Sequence, residues 1–123
     1  MILVDSSIWI DHLRHTDEVL VDLLDREQVL VHPFVIGELA MGHLPSRHAI
    51  LEDLRDLRHA IVADHEEVLR FVAEEPLFGL GLGYVDAHLL ASARLTPGAT
   101  LWTRDRRLAA AAERLSLAAR VTH

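Results

Sequence analysis

The stretch Ile2-Leu3-Val4-Asp5-Ser6-Ser7 decides how the chain is read. Three consecutive apolar residues, Ile2 and Val4 β-branched, stop abruptly at polar ones, the pattern of a short strand buried on both faces of a parallel sheet. A carboxylate follows at the strand's carboxyl end. In open α/β sheets the crevice beyond those ends is where ligands bind, so Asp5 stands at a working position before any other residue is considered. Ser6 or Ser7 is expected to cap the next helix, from Ile8 to about Leu13, because a hydroxyl there accepts an orphan backbone N–H.

Outward from that stretch, strands and helices alternate. Thr16 or Asp17 starts a second helix with a stripe of Val19, Leu20, Leu23 and Leu24. Val29-Leu30-Val31 reads as a second strand, ended by His32-Pro33, and Pro33 suits the first turn of a helix running to about Met41, closed by Gly42. Pro45-Ser46 opens another helix with Ile50, Leu51, Leu54 and Leu57 facing inward, and His59 to Val62 makes a weaker third strand. Asp64 caps the next helix with Glu67 as its capping-box partner, Val68, Leu69 and Val72 forming the buried side, and Pro76 stops it. Gly79, Gly81 and Gly83 lack the spacing and the preceding strand of a dinucleotide fingerprint, so they read as a lead-in to a helix from Tyr84 to Ala93. Pro97-Gly98 is a turn, Thr100-Leu101-Trp102 a fourth strand, Arg106 to Leu115 an Ala-rich helix, and Ala119 to Val121 a last strand. The alternation predicts a single α/β domain over residues 1–123, its parallel sheet of four to five short strands covered on both faces.

The length of 123 residues and 50% hydrophobic content suit one domain with a real core. No apolar run approaches the ~18 residues of a membrane span, and the N-terminus lacks the basic region of a signal peptide. The absence of Cys removes disulfides and thiolate metal sites and agrees with a reducing cytoplasm. All 12 Lys+Arg positions are Arg, against 19 acids, for a net charge of -7. Nucleic-acid binding usually asks for a basic face. That objection weakens if several of the acids hold divalent cations.

Four acids stand out. Glu38 is flanked at helical spacing by Phe34, Val35, Leu39 and Met41, which turns its carboxylate toward the core side unless it reaches solvent at the stripe's edge. A buried unpaired charge is costly, so it must be protonated, paired or metal-bound. Asp86 stands in register with Leu89, Leu90 and Ala93 in a first helical turn, where an acid also suits the dipole. Asp105 follows a strand and precedes a helix, equally an N-cap and a ligand. Asp5 and Asp105 thus fall at strand ends, and Glu38 and Asp86 on helices packed over the sheet. Four carboxylates on one rim would repel without cations. Hard oxygen donors suit Mg²⁺ or Mn²⁺, which activate water and stabilise a leaving oxygen in phosphodiester hydrolysis. Ser6 and Thr103 are candidate hydrogen-bond donors behind the acids.

These residues resemble the PIN-domain ribonucleases, and among them the VapC toxins of toxin-antitoxin pairs. The resemblance spans the chain: Val4-Asp5-Ser6-Ser7, Gly37-Glu38-Leu39, Tyr84-Val85-Asp86-Ala87 and Thr103-Arg104-Asp105, in order and spacing. It implies a three-layer α/β/α PIN-like fold, Mg²⁺-dependent endoribonuclease activity, a homodimer, and inhibition by a small VapB-like antitoxin. Carried over by position, the catalytic and metal-binding acids are Asp5, Glu38, Asp86 and Asp105.

The remaining candidates are weaker. Nine His carry no metal-ligand spacing beside an acid except His12 with His15, so they are expected at the surface, with His88 turned away from Asp86 on its helix. Trp9 and Trp102 are expected in the core, although either could stack a base. Arg104, Arg106 and Arg107 flank Asp105 and could hold RNA phosphates or simply be a solvated helix start. A phosphoacceptor receiver domain would need a Lys near the last strand, and the chain has none. A phosphatase with an Asp-x-Asp pair fails because Ser7 holds the second position. The surviving rival is a degenerate PIN-like module that binds RNA or a protein and cuts nothing.

Overall fold

The apolar run at the N-terminus forms strand β1 (Ile2–Val4), and Leu3 and Val4 are wholly buried. The computed structural model describes residues 1–121. In it β1 lies inside a four-stranded sheet with β2 (Val29–Val31), β3 (Arg58–His59) and β4 (Thr100–Trp102), in the order β3-β2-β1-β4. Every neighbouring pair is parallel, with Ile2 beside both Val29 and Thr100.

Helices fill the crossovers. After β1 come α1 (Ser6–Arg14) and α2 (Glu18–Asp25), and after β2 come α3 (Pro33–Ala40) and α4 (Arg47–Asp56). The long return from β3 to β4 holds α5 (His65–Glu74) and α6 (Tyr84–Leu95), and α7 (Arg106–Arg114) follows β4. Right-handed crossovers toward β3 put α1 to α4 on one face of the sheet, and the reversed direction puts α5 to α7 on the other. Packing agrees, since α1 and α4 each touch α3, α5 touches α6, and α6 and α7 touch β4. The fold is the expected three-layer α/β/α. Its core joins Leu3, Leu30 and Leu101 of the strands to Ile8, Leu20, Leu89 and Leu108 of the helices. Each such side chain contributes about 1.5–3 kcal/mol when removed from water. Trp9 and Trp102 are buried in it as expected.

Four boundaries differ from the sequence reading. Helix α1 begins at Ser6 with Asp5 as its N-cap residue, so neither serine caps it; their hydroxyls turn to carboxylates instead. Strand β3 stops at His59 and leaves Ile61 and Val62 exposed, because at a sheet edge the ladder has a partner on one side only. The last strand, expected over Ala119 to Val121, is a single parallel bridge between Leu101 and Ala118. Met41 is the C-cap of α3 and 88% exposed, since the helical period that would have turned it inward ends at Ala40. From β1 the chain steps to β2 and β3 on one side and returns to β4 on the other. The order therefore reverses at β1, which opens a crevice above the carboxyl ends of β1 and β4.

Candidate active site

Asp5 sits in that crevice, its backbone N–H donating to the Trp102 carbonyl across the β1–β4 pair at 3.0 Å. The residue is 6% exposed and its carboxylate is held by hydroxyls. Ser7 Oγ and Thr103 Oγ1 each donate to Oδ2 at 2.8 Å. The same two hydroxyls accept from the next backbone amides, Arg104 N–H on Ser7 and Asp105 N–H on Thr103. The turn after β4 is thereby sewn to the turn after β1. Ser6 Oγ lies 3.1 Å from Glu38 Oε1 and 3.4 Å from Asp5 Oδ1. It has one proton, so it donates to one carboxylate at a time, and Glu38 is the nearer.

Glu38 is exposed as a residue, so the edge position is realised, not the core-facing one. Its carboxyl nevertheless lies against the protein at the rim, and partial loss of water raises its pKa, with the negative charges of Asp5 and Asp86 adding and the Ser6 bond opposing. Asp86 Oδ2 accepts from Gly83 N–H at 3.1 Å, which holds it in the first turn of α6. Burial raises its pKa as well, with Asp105 and Asp5 adding and the Gly83 bond opposing. Asp105 is exposed and caps α7, Oδ1 accepting from Leu108 N–H at 3.0 Å. Glu38 and Asp86 therefore sense the charges of the acids around them. Among the described residues, though, no three His, Asp or Glu side chains form a group that could hold a metal ion. Among the described residues, Glu38, Asp86 and Asp105 each keep one carboxylate oxygen with no backbone or hydroxyl donor, and being less buried than Asp5 they are the side chains freest to turn toward a cation.

The arginines divide. Arg104 does not stand free for phosphate: Nε meets Asp11 Oδ2 at 2.6 Å and a terminal nitrogen meets Asp17 Oδ2 at 3.1 Å, tying the β4 turn to α1 and α2. Asp17 in turn caps α2 through Val19 and Leu20. Arg107 lies over the glycine loop, 3.5 Å from the Gly81 carbonyl, and a side chain at Gly81 would collide with it. Arg106 is exposed at the start of α7.

The histidines depart most from expectation, for His32 and His88 are buried. His32 ends β2 and caps α3, Nδ1 accepting from Phe34 N–H at 3.0 Å, as an Asn or Asp would. Burial, then the nearby His88 and His59, push its pKa down to about 4. His88 does turn away from Asp86, but into a cluster with Phe34 and Tyr84. Burial, then His65, lowers its pKa too. The sequence signal for His88 was its place inside the apolar run Ala87-His88-Leu89-Leu90 and one turn after Tyr84.

Comparison with known proteins agrees with this architecture. The PIN domain family model matches residues 2–114. Ribonuclease VapC32, from two strains of Mycobacterium tuberculosis, is 52% identical over 111 residues, covering 90% of this chain and 90% of that protein. No solved structure matches. The chain belongs to the PIN-domain family, within its VapC group.

Proposed function

We propose that this protein is a Mg²⁺- or Mn²⁺-dependent endoribonuclease, the toxin of a toxin-antitoxin pair. The observation that carries the reading is the rim itself: four acids from four different segments stand above the switch point of the sheet, and the charges of Asp5, Asp86 and Asp105 add to the burial that raises the pKa values of Glu38 and Asp86. A relative with 52% identity that bears the name ribonuclease supports the reaction class.

The chain's contribution is positioning. Ser7 and Thr103 fix the Asp5 carboxylate and keep it hydrogen-bonded, while Glu38 and Asp86 bring charges that partial burial disfavours. Carboxylate oxygens with hydroxyl neighbours and no thiolate have the chemistry for Mg²⁺ or Mn²⁺. Once bound, such an ion lowers the pKa of a water and neutralises charge on the leaving oxygen. Direct attack of water on phosphorus breaks the bond to the ribose 3′ oxygen and leaves 5′-phosphate and 3′-hydroxyl ends. By the same family reading the working unit is a homodimer, held in check by a VapB-like antitoxin and acting in the cytoplasm.

The test is cleavage of single-stranded RNA in chelator and then across a Mg²⁺ and Mn²⁺ titration, with Asp5→Asn as control. Metal-dependent cutting with those ends, lost in Asp5→Asn, is the expected result. Ends carrying 2′,3′-cyclic phosphate would sink the hydrolytic mechanism. RNA binding without cutting at any metal concentration would favour the degenerate binding module.

A further inference from the structure

Beside the acids lies a second cluster that the proposed chemistry does not use. His88 is 3% exposed and wedged between two rings, Phe34 and Tyr84, each with its centroid at 4.6 Å and each edge-on to it. His32 lies beneath, 5.2 Å from Phe34. Because its Nδ1 accepts a backbone proton, its own proton is on Nε2, which is buried without a hydrogen-bond partner, as is His88 Nδ1. The Tyr84 hydroxyl is held at 2.6 Å by His65 Nδ1. Two rings are thus fixed from behind by histidines, yet 38% of Phe34 and 47% of Tyr84 remain open to solvent.

Their place in the fold gives this surface a use. Phe34 precedes Glu38 by four residues on α3, so the two share a helix face one turn apart. Tyr84 opens α6 two residues before Asp86, on the opposite side of that helix, and its ring meets His88 one turn on. Phe34, in the first turn after β2 and one turn before Glu38, therefore brings the ring cluster beside the acid rim on the β2 side. The two tryptophans, Trp9 and Trp102, are buried and offer no such face, and Phe78, although 68% exposed, has no ring partner among the described residues to hold it.

We propose that Phe34 and Tyr84 form a stacking platform for one unpaired base of single-stranded RNA next to the phosphodiester that is cut. The proposal rests on the ribonuclease reading. Aromatic rings accept the π-face of any base without needing a basic face, and this chain carries a net charge of -7. Rings already held in place lose little freedom on binding. The platform would keep the strand on a rim whose carboxylates repel phosphate.

The test uses a short single-stranded oligoribonucleotide carrying one fluorescent adenine analogue, quenched on stacking, moved through successive positions. An Asp5→Asn background with Mg²⁺ present keeps the oligonucleotide intact. Quenching is expected to peak at one position or two adjacent ones. Phe34→Leu and Tyr84→Leu should each lose that peak and bind about five- to tenfold more weakly, the low end of what one base stack is worth. Tyr84→Phe, which keeps the ring and drops the His65 bond, should retain it, and melting curves confirm that each variant is folded. The platform is refuted if the leucine variants keep both peak and affinity. It is equally refuted if they reduce the sedimentation coefficient without RNA and leave binding per chain intact, since the face would then join two copies of the chain. Normal RNA cleavage by the otherwise wild-type leucine variants, at unchanged KM, would remove the platform and leave the ribonuclease standing; no RNA cleavage by the wild type would remove both.

Discussion

The two halves of the rim are built differently. On the β1–β4 side, Asp5 is buried and clasped by Ser7 and Thr103, and the turn carrying them is anchored by Arg104 to Asp11 and Asp17. On the helix side, Glu38 and Asp86 each hold a single hydrogen bond, to Ser6 and Gly83, and carry raised pKa values. The first half is finished by the fold. The second half holds charge under strain, which is the arrangement expected of side chains that complete their contacts when a cation arrives.

The largest effect that sharpens this contrast is loss of Asp5. Asp5→Asn should cut cleavage by roughly a hundred- to ten-thousandfold, the span expected for a group in the reacting centre. It should also melt below wild type in chelator. The two shortest bonds run from hydroxyls to an ionised acceptor, and weakening such bonds costs on the order of 1–3 kcal/mol, or several degrees for a domain of this size. A variant that melts with wild type would erase the distinction between the halves.

Arg104→Ala comes next. Its two ion pairs are partly open to solvent, so their loss should cost only about 0.5–1 kcal/mol in stability. Loosening the turn that carries Thr103 should still lower cleavage roughly tenfold, the low end of the effect of a residue that orients ligands. The salt dependence of RNA binding should not change, because Arg104 is spent on Asp11 and Asp17. Arg106→Ala and Arg107→Ala should each lower the salt slope by about one if those residues meet phosphate. A smaller slope for Arg104→Ala would mean that its ion pairs open on RNA.

The strained half is probed by pH. A carboxylate whose pKa is raised on folding destabilises the folded state when ionised, so its cost is full above the folded pKa and vanishes below the ordinary value. For Glu38 and Asp86 those ordinary values are 4.5 and 3.8. Glu38→Gln and Asp86→Asn should therefore melt at or above wild type at neutral pH in chelator, with the advantage fading as pH falls through the folded values toward the ordinary ones. Added Mg²⁺ or Mn²⁺ should raise the wild-type melting temperature, by mass action about 2.7 kcal/mol at a hundred times the dissociation constant, and raise these variants less. Variants that melt below wild type at neutral pH and gain as much from metal would show that Glu38 and Asp86 carry no strain for a cation to relieve.

Legibility in the sequence followed the same division. Elements specified by local pattern were readable: the apolar runs of β1, β2 and β4, the Asp64–Glu67 capping box, which forms through both of its bonds, and Pro33 in the first turn of α3. The positions of Asp5, Glu38, Asp86 and Asp105 relative to the strands were readable for the same reason. What depended on long-range contact was not. Ser6 and Ser7 have the composition of caps, and only the approach of Glu38 and of the turn after β4 makes Ser6 a donor between two acids and Ser7 a link from Asp5 to that turn. Arg104 looks like its neighbours Arg106 and Arg107 until α1 and α2 bring Asp11 and Asp17 to it. His32 and His88 belong to a residue type usually half exposed, and the cluster that buries them joins α3 to α6, more than fifty residues apart in the chain.

Asp105 belongs to neither half cleanly, and its replacement is the smallest effect expected. One carboxylate oxygen caps α7 through Leu108 N–H, and its backbone N–H is held by Thr103 on the finished side. Its charge is felt by Asp86 on the strained side. Asn accepts a capping bond about as well as Asp, so Asp105→Asn should change stability by no more than about 0.5 kcal/mol. Removing the charge should lower the pKa of Asp86 slightly and weaken the melting rise on adding Mn²⁺. If cleavage and that rise both survive intact, Asp105 is a cap alone and the rim works with three acids. If cleavage falls while the melting temperature in chelator stays put, the loss cannot be assigned to an unravelled helix. The free oxygen of Asp105 then belongs to the reacting site, and one residue would serve the finished half through its backbone and the waiting half through its charge.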